Sequence, residues 1–86
     1  MPDRSGRRSA ELLAFGAAVR RQRVRNGWTL DTLAEESGLS RRQIVNIENG
    51  THGVGLARLF ELAAALGVRP SQLIAEAEVD VDRPQH

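Results

Sequence analysis

Apolar residues recur at intervals of three and four along most of the chain, which is the period of an amphipathic α-helix. The recurrence begins near Ala10 and defines five segments, separated by short stretches that contain glycine or proline. The apolar stripes of these segments are Leu12, Phe15 and Val19; Leu30, Leu33 and Ala34; Ile44 and Ile47; Leu56, Leu59, Leu62, Ala63 and Leu66; and Leu73 with Ile74. No segment alternates apolar and polar residues as a half-buried strand does. The pattern therefore predicts an all-α fold of five short helices.

Residues with capping chemistry mark the ends of the predicted helices. Thr29 and Ser40 carry hydroxyls that cap a helix N-terminus, and Gln43 stands where it completes a capping box with Ser40. Pro70 fits the first turn of helix five, because a backbone N–H at that position would have no acceptor within the helix and its absence costs nothing. Each of the first four helices is followed by a glycine, the residue that most easily adopts the left-handed conformation of a helix end: Gly27, Gly38, Gly50 and Gly67.

The two ends of the chain lack this periodicity. We expect residues 1–9, MPDRSGRRS, to form a flexible basic arm, and residues 78–86, EVDVDRPQH, to form an acidic and disordered tail. Residues 10–77 are expected to form one folded domain, and 86 residues leave no room for a second.

Basic and acidic residues are unevenly distributed, although the formal net charge is only +1. Residues 1–75 contain eleven arginines and seven acidic residues, whereas residues 76–86 contain one arginine and four acidic residues. All 12 basic residues are arginine, whose planar guanidinium suits phosphate and guanine recognition. The composition thus describes a basic body with an acidic tail.

Several classes of function lack support in the sequence. Without cysteine there is neither a disulfide nor a thiolate metal site, and the apolar runs are too short to span a membrane. The polar N-terminus has no signal-peptide core, so we expect a cytoplasmic protein. No nucleophile–base pair, metal-ligand cluster or phosphate-binding glycine loop is visible, so we expect no enzyme, no metal and no cofactor.

The segment from Thr29 to Gly50 has the spacing of a helix-turn-helix, in which two helices cross steeply over a turn of a few residues. Ala34 is small where the helices cross, and Gly38 can reverse the chain four residues later. Leu39 then fills the corner between the helices. The motif predicts that helix three is held with one face outward.

These residues and their neighbours resemble the phage repressor and Cro-type helix-turn-helix family, also called the XRE family. The resemblance extends from Phe15 to Ile74, roughly two-thirds of the chain, and includes the Ile-Glu-x-Gly ending of helix three. The matching residues are Phe15, Gly16, Val19, Arg23, Leu33, Ala34, Gly38, Leu39, Ser40, Ile44, Ile47, Glu48, Gly50, Leu56, Leu59, Leu62, Ala63, Ala65, Leu66, Gly67, Val68 and Leu73. The resemblance implies a five-helix DNA-binding domain whose third helix lies in the major groove of double-stranded DNA.

The outward face of helix three follows from its helical period, because Ile44 and Ile47 define the inward direction. Arg42 and Asn49 then point nearly opposite to the core, with Val45 and Asn46 to either side and Arg41 at the leading edge. The positions where the family contacts bases correspond to Arg41, Arg42, Val45 and Asn46. We expect one of the arginines to bind guanine, Asn46 to bind adenine and Val45 to contact a thymine methyl. The alternative is an ordinary solvated helix face.

Polar residues around helix three are candidates for contacts to the DNA backbone, which position the protein without reading sequence. The candidates are Thr29, Ser40, Gln43, Asn49, Thr51, His52 and Arg58. His52 either donates a hydrogen bond to phosphate or is simply solvent-exposed. Helix two departs from the family pattern, because its first residue is commonly glutamine and here is Leu30. Arg4, Arg7 and Arg8 either follow the DNA into the minor groove or belong to a free tail.

Two further residues occupy positions where the family often has an internal ion pair. Arg23 in helix one and Glu48 in helix three are expected to pair and to tie these helices together. Their role is architectural. Trp28, the only tryptophan, is expected to cover one end of the core.

The resulting prediction is a sequence-specific DNA-binding transcriptional regulator that acts as a homodimer on a two-fold site. The candidate interface residues are Phe60, Leu73 and Ile74. The alternative is a protein-interaction module or antitoxin-like protein that uses the same fold to bind a protein partner. Leu30 and the acidic tail favour this alternative.

Overall fold

The structure, a computed structural model, describes residues 4–82, and it describes their side chains from residue 10 onward. Over this range it contains five α-helices and no strand: α1 (Arg4–Arg25), α2 (Leu30–Ser37), α3 (Arg41–Asn49), α4 (Leu56–Leu66) and α5 (Pro70–Asp82). The all-α, five-helix fold predicted from the apolar period is confirmed.

A single apolar core joins the five helices. Each helix contributes one large side chain that is fully buried: Val19, Leu33, Ile44, Leu62 and Leu73. Helix α1 packs mainly against α5 and α3, whereas α2 packs against α3 and α4. Trp28 is half-buried against the edge of this core, as predicted. The longest helix, α1, therefore supports both the acidic helix α5 and the predicted recognition helix α3.

Two glycines allow α1 and the end of α3 to approach each other at backbone distance. A Cβ atom on Gly16 would lie 2.8 Å from the carbonyl carbon of Glu48, and closer still to two carbonyl oxygens of α3. Gly50 has a φ of +69°, and a Cβ atom there would lie 2.9 Å from the backbone of Leu13. Side chains at these two positions would push α3 away from its support.

The outer boundaries of the first and last helices differ from the prediction. Helix α1 begins at Arg4, so residues 4–9 of the predicted arm are helical. Helix α5 continues to Asp82, so residues 78–82 of the predicted disordered tail are helical too. Residues 1–3 and 83–86, and the side chains of Arg4, Arg7 and Arg8, lie outside the described part of the chain.

Contacts with α1 and with the core account for the length of α5. Arg21 places Nε 3.2 Å from an oxygen of Glu76 and Nη1 3.2 Å from an oxygen of Asp80. Val81 continues the inward stripe of Leu73 and packs against the core. The acidic surplus that favoured disorder in the sequence is thus partly neutralised by α1.

The burial of Leu73 corrects one of the predicted interface residues. Leu73 is fully buried in the core and so cannot face a second copy of the chain. It opens the stripe that continues through Ala77 on the inner side of α5. The other two candidates are open to solvent, with Phe60 56% and Ile74 41% exposed.

Candidate nucleic-acid interface

Helices α2 and α3 are joined by a turn with well-defined capping at both ends. Thr29 caps α2 by accepting a hydrogen bond from the backbone N–H of Thr32. Gly38 ends α2 with a φ of +78°, and the buried Leu39 fills the corner beneath the turn. Ser40 then begins α3. This arrangement is the helix-turn-helix predicted from the spacing of these residues.

The N-terminus of α3 carries the predicted capping box. The Ser40 hydroxyl accepts from the backbone N–H of Gln43 at 3.1 Å, and the Gln43 side chain accepts from the backbone N–H of Ser40 at 2.8 Å. The Ser40 hydroxyl proton and the Gln43 amide N–H groups make no hydrogen bond within the described chain, so they can still donate to a ligand. The cap thus fixes α3 and leaves donors at its start.

The inner side of α3 is fixed by the core and by an ion pair with α1. Ile44 is fully buried and Ile47 nearly so. The Arg23 guanidinium donates two hydrogen bonds to Glu48, from Nε at 2.7 Å and from Nη2 at 3.1 Å. The two side chains are only 13% and 7% exposed, so the predicted pair forms inside the protein and not on its surface.

Arg23 also ties the turn between α1 and α2 to this pair. Its Nη1 donates to the backbone carbonyl of Trp28 at 2.9 Å. The hydrogen bond with Glu48 is the main cause that raises the pKa of Arg23 above its ordinary value, and it outweighs the opposing effect of burial. Arg23 therefore stays protonated at neutral and moderately alkaline pH.

The predicted base-contacting residues lie on the opposite side of α3. Arg41 and Arg42 are exposed at its N-terminal end, whereas Val45 and Asn46 are half-buried on the next turn. Arg42 makes no ion pair with any described residue. The outer face thus offers two cations, one amide and one small apolar side chain, and the two cations are the most exposed of the four.

Arg41 differs from Arg42 because it is already paired. Its Nε lies 3.2 Å from Oδ1 of Asp31, in the first turn of α2. Sequence reasoning gave Asp31 no role, since nothing in the apolar period shows that the starts of α2 and α3 lie side by side. An acidic residue in the first turn of the first helix of the motif was the available signal.

The predicted backbone-contacting residues surround this face, but their free donors differ. Ser40, Asn49, His52 and Arg58 are exposed. Arg58 is paired with Glu61 at 3.2 Å, one turn further along α4. Thr51 is a poorer candidate than predicted, because both its hydroxyl and its backbone N–H donate to the carbonyl of Asn46. The Thr29 hydroxyl is also engaged within the protein, because it accepts from the backbone N–H of Thr32 and lies 3.0 Å from the Thr32 hydroxyl.

A small cleft lies beside α3, between this helix and the loop that follows it. Its volume is about 230 Å³, and its lining residues are Gln43, Asn46, Ile47, His52, Gly53, Val54 and Arg58. The polar groups among its lining residues are two amides, an imidazole and a guanidinium, all of which can donate hydrogen bonds to an anion. The cleft therefore places three of the predicted backbone-contacting residues together.

Leu30, the departure from the family pattern, is half-buried and packs against the core. The first residue of α2 thus contributes to packing, and Asp31 is the first exposed polar side chain of this helix. No cluster of metal-binding side chains occurs within the described residues. None of the described helices has the length and apolar character needed to cross a membrane.

Two capped helices joined by a short turn, with exposed arginines at the start of the second, define this chain as a helix-turn-helix protein. A sequence model of the helix-turn-helix family matches residues 19–73, which is more than half of the chain. The chain therefore belongs to the helix-turn-helix family, in its XRE (Cro/C1) type.

Named proteins of this type are similar over most of the chain. The competence pilus inhibition repressor of Acinetobacter baylyi is 44% identical over 64 residues, which are 74% of this chain and 58% of that protein. Control protein C.BamHI of Bacillus amyloliquefaciens is 38% identical over 63 residues, 72% of this chain and 78% of that one. This chain thus spans less than two thirds of the length of the Acinetobacter repressor.

The fold also matches a solved structure. The crystal structure of the restriction-modification controller protein C.AhdI from Aeromonas hydrophila superposes with a TM-score of 0.73 at 38% identity. The match covers 74% of this chain and 97% of the other. The fold of this chain is therefore similar to that of a restriction-modification controller protein of known structure.

Proposed function

We propose that this chain is a transcriptional regulator that binds double-stranded DNA sequence-specifically, with α3 in the major groove. The observation that carries the proposal is the two-sided construction of α3. Its inner side is fixed by the core, by its caps and by the Arg23–Glu48 pair, while Arg41 and Arg42 project from its outer side. A rigid helix with exposed bidentate donors at its N-terminal end fits the groove and the edge of guanine.

The outer face of α3 supplies different chemistry for different base pairs. Arg42 offers a free guanidinium to guanine O6 and N7, and the Asn46 amide suits adenine N6 and N7. Val45 offers methyl groups to thymine. Each of these contacts distinguishes bases in the major groove, where all four base pairs present different patterns.

Contacts to the DNA backbone would come from both sides of the recognition helix. The free hydroxyl proton of Ser40 and the amide of Gln43 lie at the start of α3, while His52 and Arg58 lie at the cleft beyond it. Such contacts hold the helix in register without reading sequence. Thr51 would contribute only after losing its bonds to Asn46.

A homodimer is the second part of the proposal, because one recognition helix reads too few base pairs for useful specificity. Exposed apolar side chains on α4 and α5 support it, namely Leu56, Phe60 and Ile74. They lie on helices other than the recognition helix, so a second copy could pair there while both copies face DNA.

The test of DNA binding is a fluorescence anisotropy titration of genomic fragments at 50 and 200 mM salt. We expect the logarithm of affinity to fall with the logarithm of salt with a slope of about −0.9 for each phosphate contacted. Arg42→Ala should weaken binding. Arg69→Ala, which removes an exposed and unpaired arginine before α5, is the matched control for charge. Absent or salt-independent binding would overturn the proposal.

One observation favours a protein partner as the competing function. An apolar cleft of about 390 Å³ lies between α1, α4 and α5, with Phe15, Leu59 and Ile74 among its lining residues. A protein-interaction module or antitoxin-like protein would use such a surface without any DNA. The same titration separates the two functions, because only DNA binding through phosphates has the steep salt dependence.

A further inference from the structure

The ion pair between Asp31 and Arg41 joins the starts of the two helices of the motif. Arg41 Nε and Asp31 Oδ1 are 3.2 Å apart, and this is the only side-chain ion pair between α2 and α3 in the described part of the chain. Both groups remain exposed, Arg41 by 62% and Asp31 by 75% of its side chain. The pair thus stands on the outer surface beside Arg42 and not in the seam between the helices.

Stability of the free protein does not account for this pair. An ion pair as exposed as this one contributes little to folding, because water screens both charges. The carboxylate is moderately favoured by the positive N-terminal end of α2, where it lies. Contact with DNA would exclude water from the pair, and the attraction between the two charges would then increase.

The geometry of the pair leaves the useful edge of the guanidinium free. Asp31 lies nearest to Nε and forms an ion pair with it without a hydrogen bond, and the edge formed by Nη1 and Nη2 makes no hydrogen bond to any described residue. Two parallel N–H groups on such an edge can bind guanine O6 and N7 together. The same carboxylate repels phosphate and thus opposes the alternative use of Arg41 as a backbone contact.

We propose that Asp31 is a positioning residue that determines specificity: it holds Arg41 for guanine and keeps it from the DNA backbone. This inference rests on the proposed function, since it requires that α3 lie in the major groove. It gives α2 a part in recognition although its first residue, Leu30, packs against the core. Asp31 thereby lowers affinity for DNA in general and raises the preference for guanine at one position.

The test compares five variants on one DNA sequence, the motif that the wild-type chain selects from a random pool. The variants are Asp31→Ala, Asp31→Asn, Arg41→Ala, the double variant Asp31→Ala/Arg41→Ala, and Glu35→Ala. Glu35 is the matched control, because it is an exposed carboxylate one turn further along α2 and makes no ion pair. Affinity is measured for the selected motif, for its single-base substitutions and for unrelated DNA.

Arg41→Ala identifies the base pair that Arg41 contacts. At that position the preference for the selected base over the other bases should fall by about fivefold or more. Asp31→Ala should reduce preference at that same position by at least about threefold, strengthen binding to unrelated DNA, and steepen the salt slope by about 0.9 as Arg41 gains a phosphate contact. Asp31→Asn keeps an oxygen acceptor and should fall between. In the Arg41→Ala background, removal of Asp31 should no longer change the preference.

Three results would overturn the inference. Asp31→Ala with the same base preferences as Glu35→Ala would show that its carboxylate only repels DNA. A change confined to a different base pair from that of Arg41 would show that Asp31 contacts a base itself. A wild-type chain that selects no motif would overturn the proposed function and this inference together. This outcome is distinguishable from the other two results, because it is seen in the first step of the experiment, before any variant is measured. Melting temperatures should agree among Asp31→Ala, Glu35→Ala and the wild type.

Discussion

Arg23 joins three parts of the fold, because its side chain on α1 donates hydrogen bonds to the following turn and to α3. Arg23→Ala would leave Glu48 buried without its partner, and we expect the free energy of unfolding to fall by about 3 kcal/mol. DNA binding should weaken as a secondary effect. The control is Arg25→Ala. Arg25 lies on α1 like Arg23, but it is exposed, and its Nη1 is 4.0 Å from a carboxylate oxygen of Glu76 on α5. Chemical denaturation of the two variants checks this, and equal unfolding midpoints would contradict it.

The pH dependence of this pair follows from the raised pKa of Arg23. A cation whose pKa is higher in the folded protein stabilises the fold at all pH values below its unfolded pKa, and this stabilisation is lost only above it. Deprotonation of Arg23 therefore has no part in unfolding at neutral or moderately alkaline pH.

Gly16 is the residue at which α1 and α3 come closest. Gly16→Ala would force a Cβ atom into the backbone of Glu48, and we expect a loss of about 1–3 kcal/mol or more in unfolding free energy. Gly53→Ala is the matched control, because a Cβ atom there meets nothing within 4 Å. Thermal unfolding should separate the two variants clearly, and equal melting temperatures would contradict the close approach of α1 and α3 at Gly16.

For whole helices, the sequence is informative where the cause of a boundary is local. The caps at Thr29 and Ser40 and the glycines after the helices act within a few residues, and these boundaries agree with the structure. The end of α5 depends instead on Arg21, more than fifty residues earlier, which pairs with Glu76 and Asp80. The contact of Asp31 with Arg41 and the burial of Leu73 also depend on how the helices pack against one another. The residue pattern within a single helix does not show this packing.

The extended α5 can be tested by comparing two valines near its end. Val81 is half-buried against the core, whereas Val79 is exposed two residues earlier. We expect Val81→Ala to reduce the unfolding free energy by about 1 kcal/mol and Val79→Ala to change it by less than about 0.5 kcal/mol. A disordered tail would make both substitutions neutral, and that result would contradict the helical assignment of residues 78–82.

For the whole molecule, the distribution of exposed apolar residues predicts how copies associate. Phe60→Glu should convert a dimer into a monomer, because it places a carboxylate on the proposed interface. Val24→Glu is the matched control, since Val24 is similarly exposed but lies on α1. Sedimentation velocity at increasing concentration, with and without DNA, checks this. A wild-type chain that stays monomeric at high micromolar concentration in both conditions would refute the dimer.

The division between the inner and outer sides of α3 is the central claim, and selection of bound DNA from a random pool tests it most directly. The wild type should enrich a two-fold symmetric motif, and Arg69→Ala should enrich the same one. Arg42→Ala and Asn46→Ala should each lose preference at a different position of the half-site, by about fivefold or more. If the wild type enriches no motif, or if both variants enrich the wild-type motif unchanged, the outer face of α3 does not read DNA.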